Sequence, residues 1–337
     1  MNNVILTCNA GSTNSKFAAF DSRTLEVQAH ATLHGVAEIT EWLCSIGTMG
    51  IAAIGHRVVH GGREYIHPEL VTAEVIHKLK SYIPLAPLHQ PSAIQWIEQT
   101  QKLYPEIPQI ACFDTAFHHT MPELERQMPL PAWYYKQGIQ RYGFHGLSYE
   151  HIASVLPSHA KNHSLGRVIV AHLGGGASAC AMKDLKSMAS TMGFSTLEGL
   201  MMTTRCGTMD PGAILYLLNE LEMKPEELTR LLYLESGLLG VSGVSGNMKD
   251  LLKSDTPEAH NAIELYCYLA AKQMASLLPP IEGLDLLVFT GGIGENASVI
   301  REKITARLRW VGKFEVLVIP ANEEMVIARA CKARLCS

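Results

Sequence analysis

The chain has 337 residues, of which 47% are hydrophobic and 18% charged, so it is long enough for two domains and has an ordinary globular composition. Its formal net charge is −4 and its Lys and Arg residues are scattered, which excludes the basic surface that a nucleic acid or an anionic membrane requires. The amino end lacks the pattern of a signal peptide and no apolar run could span a bilayer, so we expect a cytoplasmic protein.

The eight cysteines include no CxxC pair, so neither a disulfide framework nor a zinc site is expected. Only Cys206, beside Arg205 in a polar loop, is a candidate for a reactive thiol, and a simple packing role is the plainer interpretation. Four others lie in apolar runs and are predicted to be buried: Cys8, Cys112, Cys180 and Cys267.

The amino-terminal segment predicts a hairpin, with strands at Val4–Cys8 and Lys16–Phe20 around the polar turn Asn9–Asn14. A turn rich in Gly, Ser and Thr presents N–H groups and hydroxyls to an anion, and Lys16 adds a positive charge. The spacing is not that of a Walker A loop. A phosphate-binding turn and an ordinary tight hairpin are both compatible with it.

The next predicted strand, Ala52–His60, contains an arginine, Arg57, which is uncommon unless the guanidinium reaches a partner. Arg57 is therefore either an anion ligand or half of a surface ion pair. Helices are predicted at Thr72–Lys80 and Ser92–Leu103, and the proline-stiffened loop between them fixes His89, whose type and place suit a structural role best.

The segment ACFDTAFHHTMP, from Ala111 to Pro122, ends a predicted strand at Pro108–Phe113 with an acid, a hydroxyl and two imidazoles. Taken alone, Asp114 either caps the next helix or is a reactive group at a strand end. His118 and His119 are expected to be structural, because a better-placed imidazole follows. That imidazole is His145, which Gly143 and Gly146 flank in RYGFHGLS.

The second half begins like the first. Arg167–Leu173 is predicted as a strand, GGGAS as a turn and Ala179–Met182 as a strand that ends at Asp184. This strand, small-residue turn, strand and terminal Asp repeat the amino-terminal hairpin, which predicts a duplicated fold with a cleft between the halves.

A long polar segment then carries Arg205, and long aperiodic loops in compact domains are usually functional. Helices are predicted at Ala213–Leu221, Pro225–Glu235 and Pro257–Leu278. The glycine-rich stretch SGLLGVSGVSGNMKD before the last of them is expected to be an irregular loop.

A buried strand is predicted at Leu284–Thr290, followed by a GGIGEN turn and a helix from Ala297, a combination typical of a nucleotide site but not of a Rossmann fold. Strand Phe314–Ile319 and helix Ala321–Leu335 complete the chain. Asn322 and Glu324 are residue types typical of a helix start. Glu323 could either interact favourably with the helix dipole or face a metal.

Together these segments resemble the acetate kinase family, in family order from residue 4 to residue 329. The segments that carry the resemblance are NAGSTNSKF, GHRVVHGG, APLHQP, FDTAFHHTMP, RYGFHGLS, AHLGGGAS, MGFSTLEGL, TRCG, ESGLLGVSG, FTGGIGEN and IPANEEMVIAR. The resemblance implies an α/β protein with the duplicated actin-like (ribonuclease H-like) fold. The amino-terminal domain would comprise 1–147 plus 321–337 and the carboxyl-terminal domain 148–320.

The resemblance also implies an activity, namely reversible transfer of the γ-phosphoryl group of ATP to a short-chain carboxylate, with acetate as the first choice. The products are an acyl phosphate and ADP, the metal is Mg²⁺ or Mn²⁺, and the assembly is a homodimer. Two alternatives are a kinase for propionate or butyrate and a nucleotide-binding regulatory protein with impaired catalysis.

By motif, the resemblance places Arg57, Asp114, His145 and Arg205 in the catalytic site, and Asn9 and Glu323 near the metal. Arg57 also belongs to the predicted acid-binding residues, with Val59, Leu88, His89, Phe144 and Thr196. Nucleotide contacts are implied for Lys16, His172, Leu173, Gly174, Gly175, Gly176, Asn247, Met248, Lys249, Gly292, Ile293, Gly294, Glu295 and Asn296.

The chain departs from the family pattern at several of these positions. Gly175 replaces Asn, Thr196 replaces a proline of the acid pocket, and Thr208 replaces an acid near Arg205. Asn247 and Lys249 stand where Asp and Arg are usual. The sequence therefore indicates the reaction class more specifically than it indicates the substrate or the nucleotide.

Overall fold

A computed structural model describes residues 3–10, 15–46, 50–160 and 166–336. Its contacts divide the chain into two compact units. The first unit comprises 1–119, 144–151 and 322–337, and the second comprises 120–143 and 152–321. This division groups residues 120–143 with the second unit, whereas the predicted boundaries assign them to the first.

The first unit contains a six-stranded sheet in the order β3-β2-β1-β4-β6-β5. β1 is antiparallel to β2 and parallel to β4, and β4 is parallel to β6. The polar turn, whose sequence is compatible both with phosphate binding and with an ordinary tight hairpin, falls largely at 11–14, outside the described residues. The strands are β1 Asn3–Ala10, β2 Ser15–Asp21, β3 Val27–Leu33, β4 Gly50–Val58, β5 Glu69–Leu70 and β6 Gln109–Phe113.

The second unit repeats this arrangement in a five-stranded sheet with the order β11-β10-β7-β8-β9. β7 pairs antiparallel with β8 and parallel with β10, as β1 does with β2 and β4. The duplication predicted from the two hairpins therefore extends to whole sheets. The strands are β7 Val168–Leu173, β8 Ala177–Lys183, β9 Lys186–Ser190, β10 Leu286–Thr290 and β11 Glu315–Val318.

Helices connect the strands of both sheets, and among the described residues none is long and apolar enough to cross a membrane. They are α1 Ala37–Ser45, α2 Ala73–Ser81, α3 Gln90–Leu103, α4 Glu123–Arg126, α5 Ala132–Lys136, α6 Gly146–His159, α7 Pro211–Asn219, α8 Pro225–Arg230, α9 Gly237–Ser242, α10 Met248–Leu251, α11 Pro257–Ala275, α12 Gly291–Asn296, α13 Ser298–Leu308 and α14 Glu323–Leu335. A π-helical turn, Leu231–Glu235, follows α8 directly. Single 3₁₀ turns lie at Ile83–Leu85, Ala116–Thr120, Pro279–Ile281 and Arg309–Val311.

The carboxyl-terminal helix α14 packs closely on the first sheet because β4 has a glycine where they meet. A Cβ atom on Gly55 would collide with the side chains of Ile327 and Cys331. The predicted cap is confirmed, since the Asn322 side chain accepts a hydrogen bond from the Met325 N–H at 3.0 Å. This close contact brings the first turn of α14 to the end of β4, which carries Arg57.

Two predictions of irregular structure were wrong. The glycine-rich stretch before α11 forms α9 and α10, because Leu238, Met248 and Leu251 are buried and their packing outweighs the low helix propensity of glycine. The GGIGEN segment is the short helix α12 rather than a turn.

Candidate active site

The centre of the candidate site is an ion pair between Arg57 and Asp114 in the first unit. Arg57 lies near the end of β4 and Asp114 follows β6 directly, and these strands are parallel neighbours, so their ends meet. Arg57 Nε donates to both carboxylate oxygens at 3.0 Å, and Nη2 donates to Oδ2 at 2.6 Å. Asp114 is only 1% exposed. This bidentate contact fixes the direction of the guanidinium.

Two further polar residues complete this cluster. Asn9, near the end of β1, accepts a bond from Arg57 Nη1 at its Oδ1 (3.0 Å) and donates from Nδ2 to Glu323 Oε2 (3.0 Å). Glu323, at the start of α14, lies 3.3 Å from Arg57 Nη1. We call Arg57, Asp114, Asn9 and Glu323 the arginine cluster. The cluster joins residues from three strand ends and one helix start.

Burial sets the protonation behaviour of the arginine cluster. Burial raises the pKa of Asp114, the charge and hydrogen bonds of Arg57 lower it, and the charge of Glu323 raises it, so that the pKa rises from 3.8 to about 6. Burial alone would lower the pKa of Arg57, but the charges of Asp114 and Glu323 outweigh it and raise that pKa. Asp114 is therefore ionised at pH 7 and holds a permanently charged Arg57.

This raised pKa predicts opposite pH dependences of stability and activity. The folded chain binds the Asp114 proton more tightly than the unfolded chain, so titration of Asp114 lowers the free energy of unfolding as the pH rises from about 4 to about 6. Activity is expected to rise over the same range, if the reaction depends on Arg57 being held by ionised Asp114. We expect a pH–kcat profile with an acid limb near pH 6, measured at saturating substrates and metal.

The variant Glu323→Gln tests the origin of that limb. Glu323 contributes to the raised pKa of Asp114, so its neutral analogue should move the limb to lower pH. A limb that stays in place in Glu323→Gln would show that another group controls it.

His145 is connected to the arginine cluster through its chain neighbour Gly146, whose backbone contacts Asp114. The Gly146 N–H donates to the Asp114 carbonyl oxygen at 2.9 Å, and a Cβ at this position would overlap that carbonyl group. His145 itself has a φ of +58°, a left-handed conformation that costs energy for a side chain other than glycine. The structural role expected for His118 is supported by its burial and its contact of 3.0 Å from Nε2 to the Phe144 carbonyl oxygen.

The residues predicted to bind the acid divide between the two units. In the first unit Val59 and Phe144 are buried, while Leu88 and His89 are half-buried. Thr196 belongs to the second unit and is also buried.

A residue that the sequence did not indicate, Gln90, fixes the loop that carries Leu88 and His89. Its side chain exchanges two hydrogen bonds with the backbone of His60, at 3.1 and 3.0 Å. His60 also makes an edge-on ring contact with Phe144, with ring centroids 5.6 Å apart. A glutamine after a histidine in a proline-rich loop carries no sequence signal of such a role.

The second unit contains a cavity of about 920 Å³, within the usual size range of small-molecule sites. Gly175 and Gly292 line it with open space where a Cβ would stand, which lets a flat or charged ligand approach the backbone. Eight predicted nucleotide contacts line this cavity: Gly174, Gly175, Asn247, Met248, Lys249, Gly292, Ile293 and Asn296. Thr203, Thr204, Gly246, Leu252, Lys253 and Ala297 line it as well.

Six other predicted nucleotide contacts do not line this cavity. His172, Leu173, Gly176 and Gly294 lie beside it, and Lys16 is exposed on β2 in the first unit. The Glu295 carboxylate instead binds the chain itself, because its Oε1 accepts from the N–H groups of Gly291 and Ala321, both at 2.9 Å. Glu295 thus fixes the start of α12 rather than facing the cavity.

Arg205 lies in the second unit, in the segment Met202–Cys206 beside this cavity. Its Nη1 donates to the Thr196 carbonyl oxygen at 3.3 Å. Cys206, its neighbour, is half-buried, and burial raises the pKa of its thiol. A reactive Cys206 thiol is therefore not favoured, and the four cysteines predicted to be buried are buried.

Asn9 and Glu323 offer an amide carbonyl and a carboxylate, which are oxygen ligands of the kind that Mg²⁺ takes. Among the described residues, no three His, Cys, Asp or Glu side chains cluster as a metal site. Mg²⁺ commonly binds one or two protein oxygens together with phosphate oxygens and water, and this donor set fits that mode.

The repeated sheet order places the chain in the class of duplicated actin-like folds. A propionate kinase from Francisella tularensis matches it with a TM-score of 0.91 and 33% identity over 97% of this chain and 98% of that one. The Porphyromonas gingivalis acetate kinase matches with a TM-score of 0.87 and 30% identity over 99% and 100% of the two chains.

Sequence comparison then identifies the family. The model of the acetokinase family matches residues 34–315. An acetate kinase from Rhodopseudomonas palustris is 43% identical over 98% of both chains, and one from Methylocella silvestris is 44% identical over 93% of this chain and 83% of that protein. The chain belongs to the acetokinase family.

Proposed function

We propose that this protein transfers the γ-phosphoryl group of ATP reversibly to a short-chain carboxylate, with acetate as the principal acceptor and Mg²⁺ as the metal. The observation that carries the proposal is the arginine cluster, in which a buried carboxylate holds a guanidinium at the ends of β4 and β6. A guanidinium fixed in this way binds a carboxylate or a phosphoryl group through two parallel hydrogen bonds.

The reaction needs no general base. A carboxylate is ionised at pH 7, so its oxygen attacks the γ-phosphorus directly, a new P–O bond forms, and ADP leaves with the electrons of the broken bridging bond. Arg57 binds the acid, and Asp114 acts as a positioning residue for Arg57. Arg205 neutralises the charge that spreads over the phosphoryl oxygens in the transition state, and His145 donates a hydrogen bond to these oxygens.

Nucleotide binding is assigned to the glycine-lined cavity of the second unit, whose volume and open glycine positions suit ATP or ADP. Asn9 and Glu323 would hold Mg²⁺, which when bound neutralises negative charge on the phosphate chain.

A hydroxamate-trapping assay tests this function with acetate, propionate and butyrate as acceptors. We expect ATP- and Mg²⁺-dependent hydroxamate, with the highest kcat/KM for acetate. Higher kcat/KM for propionate or butyrate would reassign the acceptor. ATP binding by the folded protein without any hydroxamate would instead support a regulatory protein.

We propose also that the protein is a homodimer that associates through α7. No residue of this helix is buried, although its sequence is PGAILYLLN, and Leu215 and Tyr216 are each 57% exposed. Leu221, just after the helix, and Leu234 in the π-helical turn add further exposed apolar side chains. An apolar helix with no buried side chain is typical of a subunit interface.

Replacing Leu215 with glutamate should shift the protein from dimer to monomer in sedimentation velocity, because the charge would be buried in the interface. Leu124→Glu is the matched control, since Leu124 is 82% exposed on α4 and should leave the mass unchanged. A wild-type protein that sediments as a monomer at micromolar concentration would contradict the proposal.

A cytoplasmic location is the third proposal. All eight cysteines are free thiols, two of them exposed, which agrees with a reducing compartment.

A further inference from the structure

The segment that carries Arg205 is held by the π-helical turn Leu231–Glu235. Such turns are rare and are frequently found at functional sites. Consecutive carbonyl groups of this turn accept hydrogen bonds from outside the helix. The Cys206 N–H donates to the Leu232 oxygen at 3.1 Å, and the Thr204 hydroxyl donates to the Tyr233 oxygen at 2.8 Å.

These bonds fall on both sides of Arg205. Thr204 precedes it and Cys206 follows it, and each is tied to the turn through a different carbonyl group. The Ser236 N–H, at the end of the turn, donates in addition to the Thr204 carbonyl oxygen at 3.0 Å. The last carbonyl groups of a helix lack intrahelical donors, so the Arg205 segment supplies bonds that this helix end would otherwise take from water.

Opposite this turn, the same segment contacts the nucleotide cavity. The Thr203 hydroxyl donates to the Gly175 carbonyl oxygen at 3.0 Å, and both residues line the cavity. Gly237 packs directly against the same segment. Its φ is +63°, and a Cβ there would stand 2.8 Å from the Arg205 carbonyl oxygen. The backbone at Arg205 is therefore fixed between the π-helical turn and the cavity wall.

We propose that Thr204 is a positioning residue for phosphoryl transfer, which acts through Arg205 by fixing its backbone to the π-helical turn. This inference rests on the proposed function. Arg205 contributes most in the transition state, so a small displacement of its guanidinium lowers kcat more than it weakens nucleotide binding. Sequence alone does not indicate this role, since the partner carbonyl lies 29 residues further along the chain.

The test replaces Thr204 with valine, which has the same shape and lacks the hydroxyl, and with serine, which keeps it. We expect Thr204→Val to lower kcat by about 10- to 100-fold with KM for MgATP within about twofold of wild type, as for a misplaced catalytic group. Thr204→Ser should restore most of kcat. Thr229→Val is the matched control, because the Thr229 hydroxyl donates to the Pro225 carbonyl oxygen within α8 and does not contact the Arg205 segment.

A double-mutant cycle separates positioning from other roles. If Thr204 acts through Arg205, Thr204→Val should change kcat by less than about twofold in an Arg205→Lys background. An equal loss in both backgrounds, or a raised KM for MgATP at unchanged kcat, would overturn the proposal. Wild-type protein that forms no acyl phosphate would instead contradict the proposed function, so the two failures are distinguishable.

Discussion

Replacing Asp114 with asparagine is expected to lower kcat by about 10²- to 10³-fold, the usual cost of losing one well-placed electrostatic contact in an active site. Asparagine keeps the shape of the side chain but removes the charge that holds Arg57 through Nε and Nη2. The guanidinium then swings toward Glu323, its remaining acidic partner in the cluster, 3.3 Å from Nη1. The hydroxamate assay measures this loss.

The same variant should change activity much more than stability. Because burial raises the pKa of Asp114, the folded chain favours the neutral form of this side chain, so its neutral analogue should not lower the free energy of unfolding at pH 7. Urea denaturation measures it, with Asp255→Asn as the control because Asp255 is exposed. Wild-type kcat in the Asp114→Asn variant would contradict the role of the arginine cluster.

Replacing Arg205 with lysine is expected to lower kcat by a similar factor of about 10²- to 10³-fold, with little effect on stability. Lysine keeps the positive charge but loses the planar, two-pronged donor geometry that matches a phosphoryl group. The segment around Arg205 is held by backbone bonds and by the Thr204 hydroxyl, all of which survive the substitution. The unfolding temperature of Arg205→Lys should therefore stay close to that of the wild type, while its kcat falls.

Arg309→Lys is the control for this variant, because Arg309 is an exposed arginine of the same unit. A large fall in unfolding temperature for Arg205→Lys would mean that Arg205 has mainly a structural role. Asp114→Asn should likewise lower kcat without lowering stability, so both variants separate a role in the reaction from a role in the fold.

The strands and the duplication could be predicted because they depend on local patterns. The two hairpins share strand, small-residue turn and terminal Asp, and the two sheets share one strand order. Strand β3 was missed although its sequence, VQAHATL, alternates apolar and polar residues, because two of the apolar positions are alanines, which are weak strand formers. Helices α9 and α10 were missed because distant packing decided their form.

The partners of the site residues could not be predicted from local patterns. Asp114 suggested a cap or a reactive group, but its contact with Arg57 depends on the parallel register of β4 and β6. Glu323 reaches Arg57 only because Gly55 lets α14 approach β4. The Glu295 carboxylate was expected at the nucleotide and binds two backbone N–H groups instead, a choice that only the folded chain determines.

The central claim is that a carboxylate oxygen of the acceptor attacks the transferred phosphorus and becomes the bridging oxygen of the acyl phosphate, and oxygen tracing tests it. Acetate labelled with ¹⁸O in both oxygens is incubated with ATP, Mg²⁺ and the protein in ordinary water. Hydroxylamine then cleaves the acyl phosphate at its carbonyl carbon, so the released phosphate keeps the bridging oxygen. We predict one ¹⁸O atom in each phosphate released with hydroxamate. Phosphate without ¹⁸O would contradict the account.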